Sequence, residues 1–138
     1  MGSGRTRVLV NESIARGSAQ LARLHTNAVD AERSLRVRIA QAPNDANSLF
    51  ALAEQVTLRG SIEEAIALVR RGLAAAPHAE ERRLWLARLE LQRANPQAAL
   101  AAVESLGPQS RATPEAQAFE AAVLGILGRH EPEIVIYE

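Results

Sequence analysis

Apolar residues return at helical spacing along almost the whole chain, and the pattern is cleanest between Ala46 and Pro77. There Leu49, Leu52, Ala53 and Val56 fall at i, i+3, i+4 and i+7, which gathers them on one face of an α-helix. Arg59-Gly60-Ser61 interrupts the run. Gly60 takes a left-handed turn at little cost, and Ser61 can accept from the N–H groups that open a following helix. Ile62, Ala65, Ile66 and Val69 then resume the apolar face, with Glu63 and Glu64 in the first turn, where negative charge suits the helix dipole. The stretch predicts two antiparallel helices ending near Pro77.

The same pattern recurs on both sides. Ala31, Ala65 and Ala99 stand 34 residues apart, as do Pro43 and Pro77, and Gly60 and Gly128 are 68 apart, or two periods. A 34-residue helix–turn–helix period divides the chain into units of about 12–45, 46–79, 80–113 and 114–138. In the first, Ile14, Ala15, Ala19, Leu21, Ala22 and Leu24 predict one helix. A turn at Thr26-Asn27 and a second helix through Ala28, Ala31, Leu35 and Ile39 complete it. Residues 1–11 read as a tail or an extension of the first helix, with Met1 to Gly4 resembling an added tag. In the third unit Leu84, Leu86, Ala87, Leu89 and Leu91 predict a helix with more than one buried face. Asn95-Pro96 supplies a cap and a first-turn proline for the next helix. Gly107 to Thr113 reads as a polar, mobile connection. Thr113-Pro114-Glu115 opens a helix carrying Phe119 to Leu127 and stopped by Gly128. In Ile134-Val-Ile-Tyr137 local propensity favours a strand, whereas the repeat register favours a truncated helix.

On these residues the chain resembles the tetratricopeptide (TPR) repeat family. Leu49, Leu52, Ala53, Gly60, Ala65, Gly72 and Pro77 carry the pattern in the second unit, and Leu86, Ala87, Ala94, Ala99 and Val103 carry it in the third. The first unit keeps Ala19, Ala31, Leu35 and Pro43 but has Ser18 for a leucine and Thr26 for the turn glycine. The last keeps Ala121, Leu124, Gly128 and Tyr137 but has Glu133 for an alanine. The resemblance implies an all-α, right-handed α-solenoid of antiparallel helix pairs, about four units with the last incomplete. The block Leu127-Gly-Arg-His130 and the alanine-rich middle resemble, more narrowly, TPR regions of bacterial pilus, secretion and exopolysaccharide assembly proteins.

Composition agrees with thin, closely stacked helices. Of 138 residues 47% are hydrophobic but only 3% aromatic, so any core is built from Ala, Leu, Ile and Val. All sixteen basic residues are Arg, which together with the alanine content points to a GC-rich bacterial genome. Sixteen acidic residues balance them, so a polyanion such as nucleic acid gains no long-range attraction. Residues 1–45 carry seven Arg against four acidic residues, an excess read as a solvated helix surface. No signal peptide or membrane-length apolar run is legible. Direct membrane insertion is not expected, and the compartment stays open.

No catalytic constellation emerges, and an enzyme is not expected. The chain has no Cys, so thiolate chemistry and disulfides are excluded. His25, His78 and His130 sit at helix boundaries without metal-ligand spacing, so neither metal nor cofactor is expected. The acidic pairs lie in first turns, where the dipole accounts for them. The resemblance instead implies a protein–protein interaction scaffold that takes a peptide or helix in a concave groove lined by the first helices of its units. By register the lining is Arg16, Gln20, Asn47, Phe50, Glu54, Thr57, Glu81, Leu84, Trp85, Arg88, Leu91, Glu115 and Phe119. Trp85 and Phe119, one repeat apart, either anchor a ligand or fill seams between units. Two alternatives remain: self-association through an uncapped end bearing Ile134, Ile136 and Tyr137, and a sensor module within a larger regulator or enzyme.

Overall fold

A computed structural model describes the backbone of residues 2–130 and the side chains of residues 15–128. Seven helices follow one another: α1 (Gly2–Gln41), α2 (Ala46–Leu58), α3 (Ile62–Ala75), α4 (Glu80–Gln92), α5 (Pro96–Glu104), α6 (Pro108–Arg111) and α7 (Pro114–His130). No strand occurs among the described residues. Each helix packs chiefly on its neighbour in the chain, and α5 reaches past the single turn of α6 to α7. The fold is therefore an all-α helical-repeat stack. The expected mobile connection after Gly107 is instead the short helix α6. Pro108 starts it, and Glu80 holds the Gly107 N–H at 3.1 Å.

Two cores result. Ile39, Leu49, Leu52, Ile66, Val69 and Leu89 anchor one, across α1 to α4. Ala87, Val103, Leu106 and Ala116 anchor the other, across α4, α5 and α7. The repeat is visible in burial. Ala53 and Ala87, Ala65 and Ala99, and Val69 and Val103 form 34-residue pairs in which every member has zero exposure. Glu90 breaks the chemistry without breaking the register. It occupies the place that Val56 fills one unit earlier, and is 1% exposed, held by Arg70 at 2.6 Å and Arg93 at 2.8 Å. A buried carboxylate is tolerable only when paired in this way.

The turns also repeat. Gly60 has φ of 85°, and Ala94, one period later, has φ of 64°. These are the left-handed conformations a tight helix hairpin requires, and Ala94 meets the requirement at a steric cost that Gly60 avoids. Ser61, expected to cap α3, instead accepts from the Arg59 guanidinium at 2.7 Å. Asn95 does cap α5, accepting from the Ala98 N–H at 3.2 Å.

One period before Gly60 stands Thr26, and here the expected hairpin does not form. A β-branched residue is a poor occupant of the left-handed region. Thr26 stays helical, its hydroxyl bonded to the Ala22 carbonyl at 3.0 Å, and α1 runs straight through. The first unit is thus a single helix and not an antiparallel pair. Its C-terminal part joins the core through Leu35 and Ile39. An ionic clamp fastens it there: Glu32 accepts from Arg59 at 2.8 and 3.2 Å and from Arg36 at 2.8 Å, while Arg36 also reaches Glu64 at 2.6 Å. Residues 15–30, by contrast, are all exposed.

Two measurements test this account. Replacing Ala94 by Gly should stabilise the chain by up to about 1 kcal/mol, because relief of left-handed strain exceeds the entropy glycine loses on folding. Gly60→Ala should cost about 1 kcal/mol, both read from urea unfolding. No atom lies within 4 Å of a Cβ built at Gly60, so conformation alone sets that cost. The second concerns pH. Hydrogen bonds from Arg59 and then Arg36 lower the Glu32 pKa from its ordinary 4.5. The unfolded chain then binds the proton more readily, so the clamp's contribution is present above pH 4.5 and lost as pH falls through the lowered value. Glu32→Gln should flatten stability against pH in that acid window.

Candidate functional site

Helices α4 and α7 present equivalent faces one period apart, and between them lie two adjoining hollows. The first, about 760 Å³, is lined by Trp85, Arg88, Leu89, Leu91, Gln92 and Phe119. The second, about 450 Å³, is lined by Glu81, Leu84, Leu106, Ser110, Thr113 and Glu115, with His78 to Glu80 at its edge. Both are open clefts. Arg88 and Glu115 form an ion pair between α4 and α7 where the hollows meet. Its members are 46% and 63% exposed, so the pair contributes little to stability and can exchange for a ligand's charges.

Trp85 and Phe119 each have two roles. Trp85 packs against the first core and Phe119 against the second, and both remain half-exposed on the cleft wall. A ring held by a core on one side and open on the other is a rigid apolar platform with little entropy left to lose on binding. Next to it the second hollow gathers three carboxylates, of Glu80, Glu81 and Glu115. Glu80 is occupied by the Gly107 N–H and Glu115 by the Arg88 guanidinium, which leaves Glu81 exposed to solvent. The combination offers an apolar anchor beside negative charge.

The residues expected to line one continuous groove divide into three groups. Glu81, Leu84, Trp85, Arg88, Leu91, Glu115 and Phe119 lie in the two hollows. Phe50, Glu54, Asn47 and Thr57 belong to α2 and do not line them. Phe50 is 5% exposed, its ring seated on Gly72, where any Cβ would collide with it. Its place in the lining is corrected: it is a core residue. Thr57 turns its hydroxyl back to the Ala53 carbonyl at 2.7 Å, and Asn47 is exposed. Arg16 and Gln20 sit on the exposed stretch of α1 and line neither hollow. Ile134, Ile136 and Tyr137 lie outside the described residues.

Arg82 is the residue that spacing did not single out. Its guanidinium stands 5.1 Å from the centre of the Phe50 ring and 5.3 Å from that of Trp85, and it donates to Glu54 at 2.7 Å. It therefore closes the α2 section of the wall and leaves the α4–α7 section open. The signal lay in a second spacing. Arg82 and Glu54 are 28 residues apart, Arg36 and Glu64 28, Arg59 and Glu32 27, and Arg88 and Glu115 27. Three of these four pairs join helices that are not successive in the chain, α2 with α4, α1 with α3 and α4 with α7.

Among the described residues no group of His, Asp and Glu could hold a metal ion, and no helix is long and apolar enough to cross a membrane. If Arg82 is the cover described, Arg82→Ala should uncover Phe50 and one face of Trp85. It should cost about 1–2 kcal/mol from two cation–π contacts and an ion pair. Tryptophan emission should shift to the red, and it has a single source because the chain holds one Trp. Emission unchanged from wild type would show that Arg82 does not shield the ring.

Comparison with known proteins bears on the fold. Residues 56–123 match the tetratricopeptide repeat family model. No curated protein sequence matches the chain. Among solved structures, a crystal structure of MamA is similar with TM-score 0.65 at 19% identity, covering 78% of this chain and 63% of that one. The type III secretion translocator chaperone SycD of Yersinia enterocolitica has TM-score 0.56 at 16% identity, covering 75% and 72%. PcrH in complex with the chaperone binding region of PopD has TM-score 0.55 at 18% identity, covering 75% and 78%. The chain thus spans less than two thirds of the MamA structure's length.

Proposed function

From a chain whose residues 56–123 match the tetratricopeptide repeat family model, we propose a protein–protein interaction scaffold that holds a peptide or helix of its partner in the α4–α7 cleft. The observation that carries this reading is the pair Trp85 and Phe119, fixed from behind by two cores and open in front. An apolar side chain of the ligand lies against the two rings. A basic side chain following it meets Glu81 and Glu115, where Arg88 is displaced from its ion pair. Aromatic anchors surrounded by exchangeable charges are the usual composition of an interface hot spot.

Two things support a peptide-like segment as the ligand class. The cleft is open and lined by residues of α4 and α7, unlike an enclosed small-molecule pocket. A similar fold, PcrH, is seen with the chaperone binding region of PopD. Glu81 and Glu115 speak against a ligand ending in a cluster of acidic residues. Of the groove expected from α1 onward, the proposed site takes only the α4–α7 part, and the position of Arg82 over the α2 section supports that choice.

The test uses Trp85 as its own reporter. A library of peptides carrying one large apolar residue followed by Arg or Lys is titrated against the chain while Trp85 emission is followed. Sequences that bind should shift or quench it. Phe119→Ala should weaken their binding at least tenfold, and Glu81→Gln with Glu115→Gln should remove the preference for a basic residue. If the binding sequences bind Phe119→Ala as well as wild type, the cleft is not the site.

A further inference from the structure

The hollow beside Trp85 and Phe119 does not end at the rings. Leu91 lines it and also lines a third hollow, of about 480 Å³, which Ala94, Pro96, Ile126 and Leu127 help to complete. Leu91 and Ile126 are half-buried and belong to neither core. Glu115, Phe119 and Ile126 follow one another along α7 at spacings of four and seven residues, and Glu81, Trp85 and Gln92 repeat those spacings along α4. Steps of four and eleven residues return close to whole helical turns, so each set lies within about 40° on its helix. The three hollows therefore form one trough, with carboxylates at the N-terminal ends of both helices, rings in the middle and aliphatic side chains at the C-terminal ends.

That spacing selects the conformation of what can fill the trough. From Glu115 to Phe119 is about 6 Å along α7, and from Glu115 to Ile126 about 16 Å. An extended ligand covers those lengths in about two and five residues. Its side chains alternate, so the third anchor would point to the opposite face, away from the trough. A helical ligand covers them in four and eleven residues and keeps all three anchors on one stripe. Charge sets the direction. Glu81 and Glu115 stand in the first turns of α4 and α7, where the helix dipole is positive. A ligand helix laid antiparallel brings its negative C-terminal end there, and a basic side chain in its last turn suits both its own dipole and the carboxylates.

We propose that the trough takes an amphipathic helix of a partner protein, antiparallel to α4 and α7, through three side chains at i, i+7 and i+11. The first is aliphatic and fills the hollow between Leu91 and Ile126. The second is large and apolar and lies against Trp85 and Phe119. The third is Arg or Lys and meets Glu81 and Glu115. This rests on the reading of the α4–α7 cleft as the binding site, and adds to it the ligand's conformation, its direction and a third point of contact. A proline between the first and second anchors is excluded, because it breaks the helix that keeps them on one stripe.

Four synthetic peptides of alanine and glutamine serve as probes. The first carries Leu, Leu and Arg at i, i+7 and i+11. The second has its first Leu moved to i+2, on the opposite face; the third has Pro at i+4; the fourth has its first Leu replaced by Ala. Each is titrated against the full chain while Trp85 emission and the gain of helix in difference circular dichroism are followed. The first should gain helix and bind about tenfold more tightly than the other three, the loss expected when one leucine is no longer buried. Ile126→Ala should cost the first peptide about fivefold and the fourth nothing, with the helix content of the chain retained. Equal affinity of the first peptide and any of the other three overturns the proposal, as does an Ile126→Ala chain that binds the first as well as wild type. So does Trp85 emission that changes on dilution of the chain alone, which would assign the trough to a second copy. The cleft is judged separately by the fourth peptide. If that peptide binds and is lost with Phe119→Ala, the cleft stands whatever the first three show. If none of the four responds to Phe119→Ala, cleft and helix fall together.

Discussion

Close approach of antiparallel helices is the constraint on which the other features depend. It is met by alanine at Ala53, Ala65, Ala87 and Ala99, none of which retains any exposed surface. A larger side chain at any of them would push its helix pair apart and disrupt a close-packed core. With so few aromatics, the core is thin, and each unit relies on the next for cover. Glycine does the same service once more: Gly72 lets Phe50 lie flat on α3, so the one large ring in α2 is absorbed where the helices would otherwise be separated.

The stack needs turns as tight as its crossings, and this is where its units differ. Glycine at 60 meets the left-handed requirement freely, alanine at 94 meets it under strain, and threonine at 26 does not meet it. The graded response follows from the side chain alone. A single β-branched residue therefore decides whether the first unit is a hairpin or a rod. The core then accepts only the second half of that rod, through Leu35 and Ile39, and the Glu32–Arg59–Arg36–Glu64 clamp fixes its angle.

Helix existence, the 34-residue period and the paired alanines were legible in the sequence because each rests on local spacing. So were the turn at Gly60 and the cap at Asn95. Phe50 was misplaced because register alone assigned it to a wall, whereas the absence of a Cβ at Gly72 draws it inward. The turn at Thr26 was misjudged because apolar spacing is the same on either side of a hairpin and along a straight helix. Only the conformational demand on one residue separates them. Glu90 is not legible because its position reads as core, and of its two arginine partners Arg93 is three residues away while Arg70 comes from α3.

Arg82 shows how the clefts come to be where they are. Arginine side chains reach past the intervening helix at separations of 27 or 28 residues, and where such a link passes over aromatic rings it closes the surface beneath. The corresponding link between α4 and α7, Arg88 to Glu115, passes beside the rings and not over them, with both partners well exposed. The same spacing therefore makes a cover in one place and a removable latch in the next. A ligand needs only to replace a solvent-screened pair to reach Phe119 and the face of Trp85 that Arg82 leaves open, whereas to reach Phe50 it would have to displace Arg82 from two rings and an ion pair together. That difference in cost, set by where one guanidinium lies relative to the rings, is why the proposed site is placed at the α4–α7 end of the wall.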